Sequence, residues 1–202
     1  MHCRFDAVKA VQAAAVLLRK ERKRMTQLRL LKLLLIADRT SIKEMGFPIL
    51  GSKIVAMDNG PVHSAIYDLI KGNHPDEPIW SKYIMTDGPR DVLLADEPEL
   101  SKLSRPEIAL LSRVSDDLAQ QDDWAISTLT RGFPEWTQFY REETSTEIAL
   151  ETTEIPLEAL IEGVGRGPEK DEILQDLRDA EAFDRFFSKH TGFLPVAARH
   201  VA

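Results

Sequence analysis

One stretch limits the fold more than any other: "QLRLLKLLLIADRTSIKEMG", from Gln27 to Gly46. It is leucine-rich on almost every side of a helical projection. A helix apolar all round has no face for water, so it belongs at the centre of its domain. Thr26 is the N-cap candidate, and Gly46 with Pro48 ends the helix by ordinary C-terminal logic. The densest part, Leu30–Ala37, falls short of the roughly 20 apolar residues of a membrane span, so it reads as buried core and no membrane partner is expected.

Other elements are placed around this helix. Asp6 caps a first helix with Val8, Val11, Ala15 and Leu18 at helical spacing, decaying into the basic run "RKERKR", Arg19 to Arg24. "KIVAM", Lys53 to Met57, reads as a short strand. In "MDNGPVHSAIYDLIKG", Pro61 suits a first helical position. Val62, Ala65, Ile66, Leu69 and Ile70 then form an apolar stripe, with His63, Ser64, Asp68 and Lys71 on the wet side and Tyr67 at its edge.

"NHPDEP" reads as a loop, and "IWSKYIMT" and "DVLLAD" as a hairpin turning at "DGPR". "SRPE", Ser104 to Glu107, is a capping box opening a helix from about Arg105 to about Gln121. Asp123 caps a short helix with Trp124 and Ile126, and Pro134 opens "PEWTQFYREE". "TSTEIALETT" is turn-like, "PLEALIEG" helical and "GVGRGP" a linker. An acidic helix carrying Ile173, Leu174, Leu177, Phe183, Phe186 and Phe187 follows. The expected class is α+β, mainly helical, with a small antiparallel sheet or hairpin. Its divisions are a domain over 1–163, a C-terminal helix over 164–192, packed or serving as an interaction arm, and a loose tail over 193–202.

Charge is unevenly spread. Residues 1–53 carry 12 Lys+Arg against 4 Asp+Glu, whereas residues 54–202 carry 14 against 29. The basic run reads either as a solvated helix end, which the macrodipole favours, or as a phosphate-attracting patch. Cys3 is the only cysteine. That count and the absence of an N-terminal secretory pattern lead us to expect a cytoplasmic protein.

Catalytic patterns are missing. The five histidines show no zinc spacing, and no P-loop, G-x-S-x-G or H-E-x-x-H occurs. Adjacent carboxylates such as Asp116 and Asp117 point about 100° apart on a helix, so they do not converge. The expectation is a non-enzyme without cofactor or metal. Nucleic-acid binding is opposed by the net charge of −7 and by a second helix with no free face for a groove.

The run "IVAMDNGPVHSAIYDLIKG" resembles the Panacea domain, the SocA-like antitoxin family of bacteria and phages. Its relatives show a strand, an aromatic, two residues, Gly-Pro-Val, then a helix with a Tyr and a closing Gly. "KAVQAAAVLLRK" and "LRLLKLLLIAD" stand where the family has its first two helices. "ISTLTRGFPEW", Ile126 to Trp136, is similar to the family's Leu-Thr-His element with its Trp, and "IPLEALIEG" to its closing segment. The resemblance covers about residues 5–163. Met57 replaces the aromatic and Arg131 the histidine, whereas Leu129, Thr130 and Trp136 match.

The resemblance implies an antitoxin that binds and masks a small cognate protein toxin, and the acidic remainder of this chain suits a basic one. Delivery of the toxin to a protease and DNA-binding autorepression, with operator DNA as partner, are the alternatives. Candidate partner-binding residues are Asp58, Asn59, Gly60, Pro61, Val62, His63 and Tyr67 around the turn, with Thr130, Arg131 and Trp136 in the second element. The competing reading gives Gly60 and Pro61 a backbone role only and buries Tyr67.

Overall fold

The structure, a computed structural model, describes residues 5–140 and 153–190. Helix α1 (Ala7–Lys20) starts where the Asp6 carboxylate accepts from the amides of Val8 and Lys9. Its buried positions run from Ala10 to Leu18, so α1 is enclosed more fully than its spacing predicts, while Val8 is left exposed. Arg22 and Lys23 then take left-handed φ values of 57° and 70°. This turn lays Arg24–Thr26 down as strand β1, where the sequence reads only a fading helix. No glycine marks the reversal. It is held by the Lys23 amide on the Leu18 carbonyl and the Leu94 amide on the Lys23 carbonyl.

Helix α2 (Gln27–Met45) is the central element, as its composition requires. The Thr26 hydroxyl accepts from the Arg29 amide, and Gly46 closes it at φ 86°. It packs against α1, and later elements enclose its remaining faces.

After α2 come strand β2 (Ile54–Ala56) and strand β3 (Val62–His63), antiparallel, with Ile54 opposite His63 and Val55 opposite Val62. Pro61 therefore does not open a helix. The Asn59-Gly60-Pro61 turn folds the chain back onto β2, and helix α3 (Ser64–Lys71) begins only after β3. His63 consequently faces the interior, fully buried, rather than the wet side.

Helix α4 (Glu77–Ser81) occupies residues expected as loop and strand. Pro78 sits in its first turn and Trp80 enters the core. The hairpin is shorter than expected: strand β4 (Ile84–Asp87) and strand β5 (Asp91–Leu94), with Asp87 opposite Asp91. β1 adds to the free side of β5, giving the order β1-β5-β4.

Helix α5 (Arg105–Asp117) has both halves of the Ser104–Glu107 capping box. Helix α6 (Asp123–Arg131) is capped by Asp122, one residue before the expected cap. Helix α7 (Pro134–Phe139) follows. Strand β6 (Thr153–Ile155), not foreseen in the sequence, completes the second sheet in the order β3-β2-β6. Helix α8 (Leu157–Gly163) leads through a short 3-10 turn at Gly167–Glu169 into helix α9 (Lys170–His190).

The glycine-rich 163–168 stretch, expected as a linker, is an ordered turn. The Val164 amide donates to Leu160 and the Arg166 guanidinium to the Ile42 carbonyl. Ile173 and Leu174 of α9 are buried against the domain. The expectations for residues 144–152 and for the tail lie outside the described residues.

Two apolar clusters share α2. Leu30, Leu33 and Leu34 join α1, α5 and the first sheet, whereas Leu35 and Ile42 join β2, β6, α8 and the start of α9. The fold is thus mainly helical α+β, as expected. Among the described residues no helix is long and apolar enough to cross a membrane.

Leu33 is fully buried and Leu129 on α6 is 43% exposed. Urea unfolding of Leu33→Ala is expected to show a loss of about 2–5 kcal/mol. Leu129→Ala is expected to stay within about 0.5 kcal/mol of the parent.

Candidate functional site

The turn between β2 and β3 is where distant parts of the chain converge. Gly60 has φ 90°, and its amide donates to the Met57 carbonyl at 2.8 Å. A side chain here would be strained by that φ. It would also have no room: a Cβ would lie 2.5 Å from Thr130 Oγ1, 3.0 Å from Lys32 Nζ and 3.3 Å from Arg131 Cγ.

Three turn carbonyls each receive a side-chain donor from a different helix. Trp136 Nε1 donates to Met57 at 3.0 Å, Ser127 Oγ to Asn59 at 2.8 Å and Lys32 Nζ to Pro61 at 2.8 Å. Tyr140 stacks on Trp136 with ring centroids 4.4 Å apart, and its hydroxyl donates to Asp58 Oδ1. Thr130 and Ser127 stand three residues apart on α6, one helical turn, so both face this site.

The two signature elements therefore meet, and they meet on the inside. Gly60, Pro61, Val62, His63 and Thr130 are buried, and Tyr67, Arg131 and Trp136 are partly so. Asp58 and Asn59 alone among the ten candidates are exposed. Tyr67 packs against the larger core with the Lys71 ammonium 5.6 Å from its ring. Arg131 packs its stem on Gly60 and donates to Thr128 Oγ1 at 3.1 Å, consistent with a hydrogen-bonding role for this residue.

The electrostatics follow from burial. Lys32 is fully buried, and desolvation together with the nearby Arg131 charge lowers its pKa to about 7. Asp38, one and a half helical turns along α2, is raised to about 7 by burial, although the Ile49 and Leu50 amides donate to it. His63 Nε2 lies 3.5 Å from Asp38 Oδ2. Burial holds the imidazole neutral, its pKa lowered to about 4 despite nearby backbone carbonyls. Among the described residues no group of three His, Cys, Asp or Glu side chains could hold a metal ion.

An exposed surface lies next to this turn, outside the ten candidate residues except for Asn59. Trp124 on the first turn of α6 is 62% exposed. It borders an open groove of about 960 Å³ between the start of α2, the hairpin tip and α6. Leu28 and Leu31 supply apolar lining, Asp122 and Asp123 an acidic side, and Arg90 the hairpin side. Asn59 reaches the groove from the turn. Leu129 also faces out from α6. The signal was present in the sequence as a Trp beside a helix cap, but its exposure depends on how α6 packs.

The basic run behaves differently. Arg19 and Lys23 pair with Glu97, Lys20 with Asp116, and Arg24 with Asp87 and Asp91. Four of its cations thus face carboxylates of this same chain.

A mainly helical α+β protein with an internally pinned Gly-Pro turn, bordered by an exposed aromatic groove, is the class defined by this geometry. The chain belongs to the antitoxin SocA-like family, the Panacea domain, whose family model matches residues 30–137. That span holds most of α2, the turn, α6 and Trp136, the parts that meet at the site. No curated protein and no solved structure matches the chain.

Two outcomes are expected. Gly60→Ala combines a disfavoured φ with the Thr130 contact and is expected to lose about 2 kcal/mol or more in urea unfolding. Asn59→Ala keeps the carbonyl that Ser127 uses, and is expected to stay within about 0.5 kcal/mol of the parent.

A third outcome concerns pH. Above pH 7, Asp38 is mainly ionised and His63 neutral in both folded and unfolded chains. Lys32 differs: the unfolded chain holds its proton toward the ordinary value of 10.5, the folded chain only to about 7. The unfolded state then binds more protons, so stability rises with pH in this window. Between pH 7.5 and 9 the parent is expected to gain stability relative to Lys32→Met, by up to about 1.4 kcal/mol per pH unit.

Proposed function

We propose that this chain is an antitoxin that neutralises a cognate protein toxin by direct, non-catalytic contact. Membership of the SocA-like family supports an antitoxin role. The observation that carries the contact reading is the exposed Trp124 beside a groove next to the family's signature turn. Exposed aromatics on rigid helices are favoured anchors in protein interfaces. The signature side chains are engaged within the domain, so they shape the surface rather than touch the toxin. Of the ten candidates, Asn59 reaches the groove itself.

Masking needs no proton transfer and no nucleophile, in keeping with an imidazole held neutral and sealed from solvent at His63. The internal pairing of the basic run favours this reading over autorepression on DNA, since paired cations release fewer counterions from a duplex.

Co-expression tests it. A toxic reading frame encoded beside this one is induced with and without the chain in a host lacking its cytoplasmic proteases. Restored growth and a complex that co-purifies through gel filtration are expected. Growth that stays arrested, or rescue without a complex, overturns direct masking.

A further inference from the structure

We infer that the groove beside Trp124 receives a toxin segment in which an Arg or Lys stands next to an apolar side chain. The inference rests on the antitoxin reading above for the partner being a protein. It names the chemistry of the segment that this surface accepts.

The groove has three sides, of which the hairpin tip with Pro89 and Arg90 is one. Leu28 and Leu31 on the first turns of α2 line it with aliphatic surface, and Leu31 is almost wholly covered by its own domain. A surface of this kind accepts an apolar side chain. Another side is α6, where the Trp124 indole stands 62% exposed. Asp122 and Asp123 lie immediately before it on the same side of the groove. An aromatic face beside two carboxylates is suited to a guanidinium or ammonium. The ring supplies a cation–π contact and the carboxylates supply charge.

Asp122 keeps an oxygen for such a guest, whereas Asp123 is partly engaged within the chain. Asp122 Oδ1 caps α6 through the Ala125 amide, which occupies one of its oxygens. Asp123 accepts from the Thr26 hydroxyl and lies 3.8 Å from Arg29. These contacts fix the side chains before any partner arrives, which lowers the entropy lost on binding. Arg131 of the chain itself lies 6.0 Å from the indole centroid, so a guest cation shares this ring with it or takes its other face.

Charge selects among occupants. Of the charged residues that line the groove, two are the carboxylates Asp122 and Asp123 and one is Arg90, so a basic side chain is drawn to its α6 side. A second copy of this acidic chain meets like charge. A nucleic-acid strand could stack a base on Trp124, but its phosphates would face Asp122 and Asp123.

The test uses the full chain and a random linear-peptide display library. Selection on the parent, with counter-selection on Trp124→Ala, is expected to enrich peptides with Arg or Lys beside Leu, Ile, Phe or Met. Synthetic versions are expected to lose affinity by about tenfold or more on Trp124→Ala, and to weaken measurably on Asp122→Asn. Asn is as good an N-cap as Asp, so the second variant removes charge while keeping the helix start. Unchanged melting temperatures in both variants confirm that the surface alone has been altered.

Peptides lacking a cation, equal binding to Trp124→Ala, or no enrichment overturn the inference. So does self-association in sedimentation that Trp124→Ala abolishes, which would identify a second copy as occupant. Salt-sensitive binding of a uridine oligonucleotide that requires Trp124 would identify a nucleic acid instead, and likewise overturns it. Failure here separates from failure of the antitoxin reading. A Trp124→Ala chain that still rescues its toxin fully removes the groove and leaves the antitoxin role. A parent chain that selects basic peptides but rescues nothing removes the role and leaves the groove's chemistry.

Discussion

Helix α2 buries three charged side chains, Arg29, Lys32 and Asp38, and half-buries a fourth, Arg39, because its apolar residues leave it little outer face. An unpaired charge inside a protein is costly, so each must find a partner there. Each finds a remote segment. Arg29 donates to Glu21 and to the carbonyls of Leu118 and Gln121 at the end of α5. Lys32 donates to Pro61, Asp38 accepts from Ile49 and Leu50, and Arg39 donates to Glu135 and the Gly163 carbonyl. Four spokes from one helix thus hold the α5–α6 connection, the Gly-Pro turn, the segment after α2, and the α7–α8 pair.

This arrangement explains the spacing of the motif better than partner contact does. Gly60 is required because Thr130 and Lys32 fill the space where a side chain would go. Trp136 is held to the turn through the Met57 carbonyl, and Gly163 lies against the buried Glu135 carboxylate that Arg39 pairs with. Residues far apart in sequence are linked by a single set of contacts radiating from α2. A tightly pinned turn then gives α6 a fixed seat, and α6 is the helix that carries Trp124 outward.

What could be read from the residues alone was local. Asp6, Thr26, Gly46 and the Ser104–Glu107 box act within one helical turn, and each does what its chemistry predicts. β1, β3 and β6 are two or three residues long, and their pairing partners lie up to 101 residues away, as for Ile54 and Ile155. No local preference separates such strands from turns. Missing β3 had a specific consequence. A strand alternates its faces residue by residue, so reading Val62–His63 as helix put His63 on the wrong side. Proline shows the same ambiguity: Pro61 closes a hairpin turn rather than opening a helix, whereas Pro78 stands in the first turn of α4.

Charge follows the same division between interior and surface. The basic run and the acidic residues of the first sheet and α5 face one another, so much of the first quarter's positive charge is matched within the chain. Each such exposed pair adds little stability, about 0–1 kcal/mol. Their effect is on the field instead. With those cations matched, the carboxylates at the head of α6 stand beside Trp124 with Arg90 across the groove as the cation lining it. A groove with carboxylates beside an aromatic wall, an aliphatic wall and one arginine at its third side distinguishes partners by chemistry, and α2 supplies both the aliphatic wall and the anchors beneath α6.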